Sequence, residues 1–166
     1  MTTLTGTLVL LRPATEADVA PLALIRSAPE VTRWWGDEED YPAAVADDLD
    51  RTFAVEVDGR LVGAVQTYEE ADPMYRHAGM DIYLDPTAHG KGIGTDAVRT
   101  MARHLIRAEG HHRLVIDPAA ANTAAIRAYE RVGFRRVGVL RAYERGPDGT
   151  FHDGLLLDLL ADDLID

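Results

Sequence analysis

The hydrophobic positions of this chain follow two different spacings. Short apolar runs with β-branched and aromatic residues predict strands over residues 7–12, 52–57, 61–68, 80–84, 113–116, 134–140 and 154–159. Apolar residues that recur every three or four positions predict helices after residue 15, over 94–108 and up to about 132, with a short helix over 42–49. The pattern therefore predicts strands and helices that follow one another along most of the chain.

Turn and capping residues define the boundaries of these elements. Pro13 is expected to end the first strand, and Thr15–Asp18 matches the capping signature of the first helix. Pro29 and a turn at Trp34–Gly36 are expected to break that helix. Asp58-Gly59, between two strand-like runs, predicts a tight hairpin, and a second turn is expected at residues 147–149.

The order of these elements predicts an α/β protein. A β-hairpin core precedes the order β-α-β-α-β-β, which gives a mixed sheet with helices on both faces. The 166 residues contain no internal repeat, low-complexity tract or linker. We therefore expect a single domain over residues 1–166.

The composition excludes several classes of chemistry. The chain has no cysteine, which excludes disulfides, thiolate metal sites and a cysteine nucleophile. The six histidines show no metal-ligand spacing, so we expect no metal. The N-terminus has no signal-peptide pattern, and no apolar run approaches the roughly 20 residues that span a bilayer. We expect a cytoplasmic location and no membrane association.

The net charge of −11 narrows the choice of partner. Nucleic acids and anionic membranes would be repelled on average, whereas a cationic partner would be attracted. Acidic clusters lie at residues 37–40, 69–72 and 162–163. Any one cluster is explained equally well by solubility alone.

The most informative segment is the run His89–Gly94, in which every second residue from Gly90 onwards is glycine. It follows a predicted strand and precedes a predicted helix. Glycines leave the backbone N–H groups accessible, and a helix N-terminus adds unpaired donors, so the place suits a phosphate group. Its spacing matches neither the P-loop nor the dinucleotide-binding fingerprint.

A second segment makes the comparison specific. Asp117–Asn122 is followed by a helix that contains Ala125–Glu130, and then by Gly133-Phe134. Together with the glycine loop, this arrangement resembles the GNAT acyltransferase superfamily over roughly residues 8–158. The loop of that superfamily starts with Arg or Gln, where this chain has His89, a departure that affects one side-chain contact. Trp34–Gly36 and Gly79–Asp81 make the chain most similar to the aminoglycoside 6'-N-acetyltransferases.

The resemblance implies a GNAT-type, mostly antiparallel sheet and acetyl-CoA as the acyl donor. The residues that match its acetyl-CoA site are Leu84, His89, Gly90, Lys91, Gly92, Ile93, Gly94, Thr95, Asn122, Ala125 and Tyr129. Asn122 lies about two helical turns before Tyr129, so both should face one side of the helix. Asn122 is equally suited to cap that helix.

Tyr129 and Asp81 are the predicted catalytic residues. The tyrosine at the matching position of the family is usually assigned as the acid for the departing thiolate. A phenol with a pKa near 10 is suited to that role. Asp81 lies within a strand, where a carboxylate is costly unless it is paired or faces a cleft. We expect it to bind and orient the acceptor amine, or to relay its proton through water.

Five further residues are candidates for acceptor binding besides Asp81. They are Trp35, Glu38, Tyr68, Asp117 and Asp153. Asp117 ends a predicted strand, where α/β sheets present ligand groups, although an Asp-Pro turn explains it equally well. Trp34 and Trp35 are adjacent and cannot share one face, so one is expected in the core and the other against the acceptor.

The leading hypothesis is therefore acetyl transfer from acetyl-CoA to the 6'-amine of aminoglycoside antibiotics, by a monomer or homodimer. The rival within the superfamily is a different acceptor, namely a siderophore hydroxylysine, a polyamine or a protein N-terminus. The alternative from another class is a non-catalytic sensor of acyl-CoA.

Overall fold

A computed structural model describes residues 2–166; Met1, which begins the predicted domain, lies outside the described residues. The strands are β1 (Leu4–Thr5), β2 (Leu10–Pro13), β3 (Thr52–Val57), β4 (Arg60–Glu70), β5 (His77–Leu84), β6 (Arg113–Ile116), β7 (Arg135–Arg145) and β8 (Phe151–Leu160). The helices are α1 (Val19–Arg26), α2 (Pro29–Trp35), α3 (Tyr41–Asp47), α4 (Ile93–Arg107) and α5 (Thr123–Val132). None of the helices within residues 2–166 has the length and apolar character needed to cross a bilayer.

The strands form one twisted, mixed sheet within residues 2–166. Their order is β1-β2-β3-β4-β5-β6-β8-β7, and the pairing is antiparallel everywhere except between β5 and β6. The turn at Asp58-Gly59 has positive φ at both residues, 51° and 77°, which suits a two-residue hairpin. The predicted hairpin and the predicted mostly antiparallel sheet are both confirmed.

Helices cover both faces of the sheet, as predicted. α4 and α5 pack on one face, where Met101 and Ile126 join the larger core with Leu157 of β8. On the other face α1, α2 and α3 build a smaller core around Leu22 and Tyr83. Successive strand residues point to opposite faces, so a single strand contributes to both cores.

Three details of the predicted elements are wrong. Trp34 and Trp35 are not in a turn but in the last turn of α2, which ends at Gly36 with φ 80°. Pro29 starts this helix rather than only ending the one before it, because proline has no N–H to lose in the first turn. The first strand is also divided, and Pro13 is its last residue.

The parallel strands β5 and β6 separate shortly after they meet. They pair only through Ala78 with Leu114 and Gly79 with Val115. Beyond these pairs β5 continues to Leu84 with β4 as its partner, and β6 ends after one more residue. Because α4 and α5 follow these two strands, both helices begin near the opening between them.

Asp96, in the first turn of α4, fixes the segment that leads into β2. Its carboxylate accepts hydrogen bonds from the backbone N–H groups of Thr7 (3.1 Å), Leu8 (2.6 Å) and Val9 (2.9 Å). Asp96 itself is buried. The carboxylate thus satisfies three backbone donors that no strand partner satisfies.

Asp96→Ala should lower the free energy of unfolding by roughly 1–3 kcal/mol, because it leaves three backbone donors, of which that of Val9 is buried, without a protein acceptor. Urea denaturation measures the change. Asp47→Ala is the matched control, because Asp47 is an exposed residue of α3. A loss no larger than that of the control would contradict the assigned role.

Candidate active site

A cleft of about 860 Å³ opens where β5 leaves β6. One wall is the end of β5 with the following glycine loop, and the other is formed by α5 and by α2 along its whole length. Of the predicted acetyl-CoA residues, those that line it are Leu84, His89, Gly90, Gly92, Gly94, Thr95, Asn122, Ala125 and Tyr129. Lys91 is exposed beside the cleft, and Ile93 is buried in the larger core.

The glycine loop presents backbone donors to the cleft. Gly90 and Gly92 have φ of 73° and 78°, in the left-handed region where a side chain is strained. Gly92 is the N-cap of α4, and the first N–H groups of a helix have no intrahelical acceptor. His89 folds back, with Nε2 3.0 Å from the carbonyl oxygen of Leu84. This arrangement is suited to a phosphate group.

Asn122 and Tyr129 lie at the two ends of the α5 wall. Asn122 caps the helix, since its Oδ1 accepts from Ala125 N at 3.3 Å. Tyr129 is only 7% exposed, and its ring meets Phe134 edge to face at 6.3 Å. Burial raises the pKa of Tyr129, and the charges of Asp81 and Asp117 raise it further. The phenol therefore keeps its proton and remains a hydrogen-bond donor.

Asp81 lies in β5 two residues beyond the last pair with β6. Burial raises its pKa to about 6, and Asp117 and Glu144 act in the same direction while Arg51 opposes them. Asp117 occupies the corresponding place after β6, two residues beyond Val115. The register of the two strands thus brings the two carboxylates to the same opening.

Tyr68 lies in β4, next to the part of β5 that leads to Asp81. It pairs across the strands with Gly79, and a Cβ added there would lie 2.0 Å from Tyr68 Cζ. Burial raises the pKa of Tyr68, with further contributions from Asp117 and Asp81. Only a glycine at position 79 allows the ring to lie this close.

Two predicted acceptor residues have partners within the protein. Glu38 lies 3.7 Å from Arg26, and the carboxylate of Asp153 accepts from Ala142 N at 2.9 Å. Of the six predicted acceptor residues only Trp35 lines the cleft, and the charges of Asp81 and Asp117 act on the pKa of Tyr129. Their roles in binding stay predictions.

Trp35 separates the cleft from the smaller core. Its indole N–H donates to the carbonyl oxygen of Ile82 at 3.1 Å, and its ring meets Tyr83 edge to face at 4.9 Å. The guanidinium of Arg26 lies 5.2 Å from the ring and donates to the carbonyls of Trp35 and Gly36. Burial lowers the pKa of Arg26. Trp34 and Trp35 both line the cleft and neither is fully buried, so the expectation that one of them lies in the core is wrong.

Two residues near the carboxylates were missed from the sequence. Tyr143 donates from its hydroxyl to Asp117 Oδ2 at 2.6 Å, and Glu144 acts on the pKa of Asp81. Both lie in the part of β7 beyond Leu140, where the sequence predicts no strand. No spacing signal exists there, because a bulge interrupts the alternation.

Among residues 2–166 no group of three or more histidine, aspartate or glutamate side chains is arranged to hold a metal ion. The expectation that the protein uses no metal stays a prediction.

Known proteins with similar sequences and structures include acetyltransferases. The model of the acetyltransferase (GNAT) domain matches residues 9–135. The aminoglycoside N(6')-acetyltransferase type 1 of Klebsiella pneumoniae is 30% identical over 164 residues, which cover 85% of this chain and 79% of that protein. The spermidine N(1)-acetyltransferase of Escherichia coli (strain K12) is 27% identical over 141 residues, which cover 80% and 75%. The structure of Mycobacterium smegmatis RimJ in complex with CoA-disulfide has a TM-score of 0.82 and 25% identity, over 99% of this chain and 88% of that one.

The raised pKa of Asp81 predicts a stability effect that depends on pH. The folded protein holds this proton more tightly than the unfolded chain, whose carboxyl has a pKa of 3.8. The free energy of unfolding therefore falls as the pH rises from 3.8 to about 6, and the full penalty is present above about pH 6. Asp81→Asn should raise the free energy of unfolding by roughly 1–3 kcal/mol at pH 8 and leave it unchanged near pH 4.

Urea denaturation between pH 4 and pH 8 tests this expectation, with Asp47→Asn as the control for loss of one exposed charge. If Asp81→Asn changed the free energy of unfolding by the same amount at every pH, the pKa of Asp81 would not be raised in the folded protein.

Proposed function

Because this chain belongs to the GNAT acetyltransferase family, we propose that it transfers an acetyl group from acetyl-CoA to a primary amine of a polycationic small molecule. The 6'-amine of aminoglycoside antibiotics is the leading candidate for the acceptor. The observation that carries this proposal is the strand register, which puts Asp81 and Asp117 each two residues beyond the last pair of β5 and β6, where their charges act on the pKa of Tyr129.

The donor is bound along the wall that starts at the glycine loop. The N–H groups around Gly92 and Gly94 bind its pyrophosphate, because they are unpaired and lie at the positive end of α4. The Asn122 side-chain amide bonds to the amide-rich arm, which follows the edge of β5 that β6 has left. The thioester then lies near Tyr129.

The acceptor amine attacks from the side of the carboxylates. Asp81 binds the ammonium form and holds the nitrogen at the thioester. Its pKa of about 6 is below that of an amine, so Asp81 does not retain the proton, which passes through water to the bulk solvent and leaves the free amine. The free amine nitrogen forms a bond to the carbonyl carbon, and the C–S bond breaks. Tyr129 donates a hydrogen bond to the departing thiolate, which takes up one proton in exchange for the one that the amine loses.

A polyamine is the second candidate acceptor. The spermidine N(1)-acetyltransferase of Escherichia coli is a relative of similar coverage, and several carboxylates near one cleft suit any acceptor with spaced ammonium groups. An uncharged hydroxylamine or a protein N-terminus makes less use of these carboxylates. A sensor without catalysis makes no use of the buried Tyr129 hydroxyl.

Release of free thiol from acetyl-CoA distinguishes the acceptors. We expect the highest kcat/KM for kanamycin or tobramycin in a panel that also contains spermidine, a short peptide and hydroxylysine. The acceptor KM should rise several-fold between about 0.05 and 0.5 M salt, because screening weakens ion pairs, while the KM for acetyl-CoA serves as the internal comparison. A salt-independent acceptor KM, with the peptide as best substrate, would contradict a polycationic acceptor.

Tyr129→Phe tests the assignment of the acid. It removes only the hydroxyl, so kcat should fall roughly ten- to a thousand-fold while the affinity for acetyl-CoA changes little. Single-turnover measurement isolates the chemical step from product release. Tyr75→Phe is the control, since Tyr75 is 69% exposed in the β4–β5 connection. Wild-type single-turnover rates in Tyr129→Phe would remove Tyr129 from the mechanism.

A further inference from the structure

The free edge of β5 is the side from which β6 has separated. The N–H of Asp85, directly after β5, bonds to Val62 O in β4, and hydrogen bonding alternates along an antiparallel pair. Residues at odd distances from Asp85 therefore direct their backbone groups away from β4, and these include Leu84 and Ile82. The carbonyls of Ile82 and Leu84 thus point to the free edge, where they need a partner other than a strand.

Two side chains from different parts of the cleft supply these partners. Trp35, the last residue of α2, donates from Nε1 to Ile82 O at 3.1 Å. His89, which starts the glycine loop, lies with Nε2 3.0 Å from Leu84 O. A carbonyl oxygen only accepts, so Nε2 carries the proton and donates it. The end of α2 and the glycine loop are therefore each held on the same strand edge by one hydrogen bond.

A buried arginine fixes the indole of Trp35. Arg26 is 5% exposed, and its guanidinium lies 5.2 Å from the centre of the Trp35 ring. It donates to Trp35 O at 2.9 Å and to Gly36 O at 2.8 Å, at the end of α2. The carboxylate of Glu38 is 3.7 Å away, beyond hydrogen-bond distance. Burial of a charge is costly, and the contacts that offset this cost are those that hold Trp35.

These two hydrogen bonds leave the edge able to bind a ligand. Under the proposed function the donor arm runs from the N–H groups near Gly92 along β5, and it passes Leu84 before Ile82. Each carbonyl oxygen has two lone pairs, so a bond to a side chain leaves one for a ligand amide. A site that is ordered before the ligand arrives binds more tightly, because less ordering is required on binding.

We propose that Trp35 and His89 are positioning residues for acetyl-CoA: they hold α2 and the glycine loop on the free edge of β5, and so form the channel for the amide arm before the donor binds. Arg26 acts through Trp35. This inference rests on the proposed acetyl transfer, and it specifies how the chain orders its own donor site. None of the three residues takes part in the chemical step.

Calorimetry with two ligands tests this role. CoA carries the amide arm, whereas 3'-phosphoadenosine 5'-diphosphate carries the pyrophosphate without it. Trp35→Phe and His89→Leu remove the N–H donors, and Arg26→Lys keeps the charge but loses the fork that reaches two carbonyls. Arg135→Lys is the control, because Arg135 is exposed at the start of β7 and pairs with Asp163. Affinities are measured at a temperature at which circular dichroism shows every variant folded.

We expect Trp35→Phe and His89→Leu to weaken CoA binding by about three- to tenfold, as for the loss of one hydrogen bond, and Arg26→Lys to weaken it less. The fragment without the arm should bind to all variants as to the wild type. His89→Gln keeps an N–H donor and should recover part of the loss. In turnover, the KM for acetyl-CoA should rise at nearly unchanged kcat, and Arg135→Lys should match the wild type throughout.

Three results would overturn the inference. The first is an equal loss of affinity for CoA and for the fragment in His89→Leu, which would show that the ring contacts phosphate directly. The second is a lower thermal midpoint with wild-type CoA affinity, which would show that the hydrogen bonds serve the fold alone. The third is a higher acceptor KM in Trp35→Phe without loss of CoA affinity, which would assign the indole to the acceptor.

The same measurements separate this inference from the proposed function. Absence of CoA binding by the wild type would contradict both. Thiol release by a wild type that binds CoA, together with unchanged CoA affinity in Trp35→Phe and His89→Leu, would remove the inference alone. Weakened CoA binding in these variants, without thiol release for any acceptor, would support the inference and contradict the proposed transfer.

Discussion

The separation of β5 from β6 is the constraint on which the rest of the site depends. Beyond the pair of Gly79 and Val115, one edge of β5 has no strand partner, and buried backbone groups need another acceptor or donor. Trp35 satisfies one of them by donating to Ile82 O. The remaining edge is accessible to the amide groups of a ligand. The same separation places Asp81 and Asp117 at the opening, so that donor and acceptor sites follow from one feature of the sheet.

In a chain with a net charge of −11, the glycine loop suits an anion, whereas the opening between β5 and β6 carries carboxylates. The loop around Gly92 presents backbone N–H groups and a helix N-terminus, which suit an anion, and Arg33, Arg127 and Arg131 also line the cleft. Asp81, beyond the residues that line the cleft, has a pKa that burial raises. Under the proposed function, the ammonium group of the acceptor stabilises the ionised form of Asp81, while the anionic donor lies at the glycine loop.

Much of the fold follows from local signals in the sequence. The Asp58-Gly59 hairpin and the strand at residues 113–116 have strong signals of their own, and both are confirmed. The neighbouring positions of Asp81 and Asp117 follow from strand order and register. The partners of Asp96 and of Tyr143 have no such signal, because each contact joins segments far apart in the chain. The hydrogen bonds of Asp96 to loop N–H groups and the direction of Tyr143 after the bulge both depend on tertiary structure. The spacing of hydrophobic residues along the chain does not predict such contacts.

The bulges in β7 oppose the pairing of this edge strand with another chain. β7 is the last strand of the sheet, and ten of its eleven residues are exposed. A long regular edge of this kind would favour pairing with another chain. Bulges, and arginines such as Arg136 and Arg141, interrupt its flat edge and oppose such pairing. A register shift also occurs between the central strands β3 and β4, at Val55 and Glu56, so irregular pairing is not confined to the edge of the sheet.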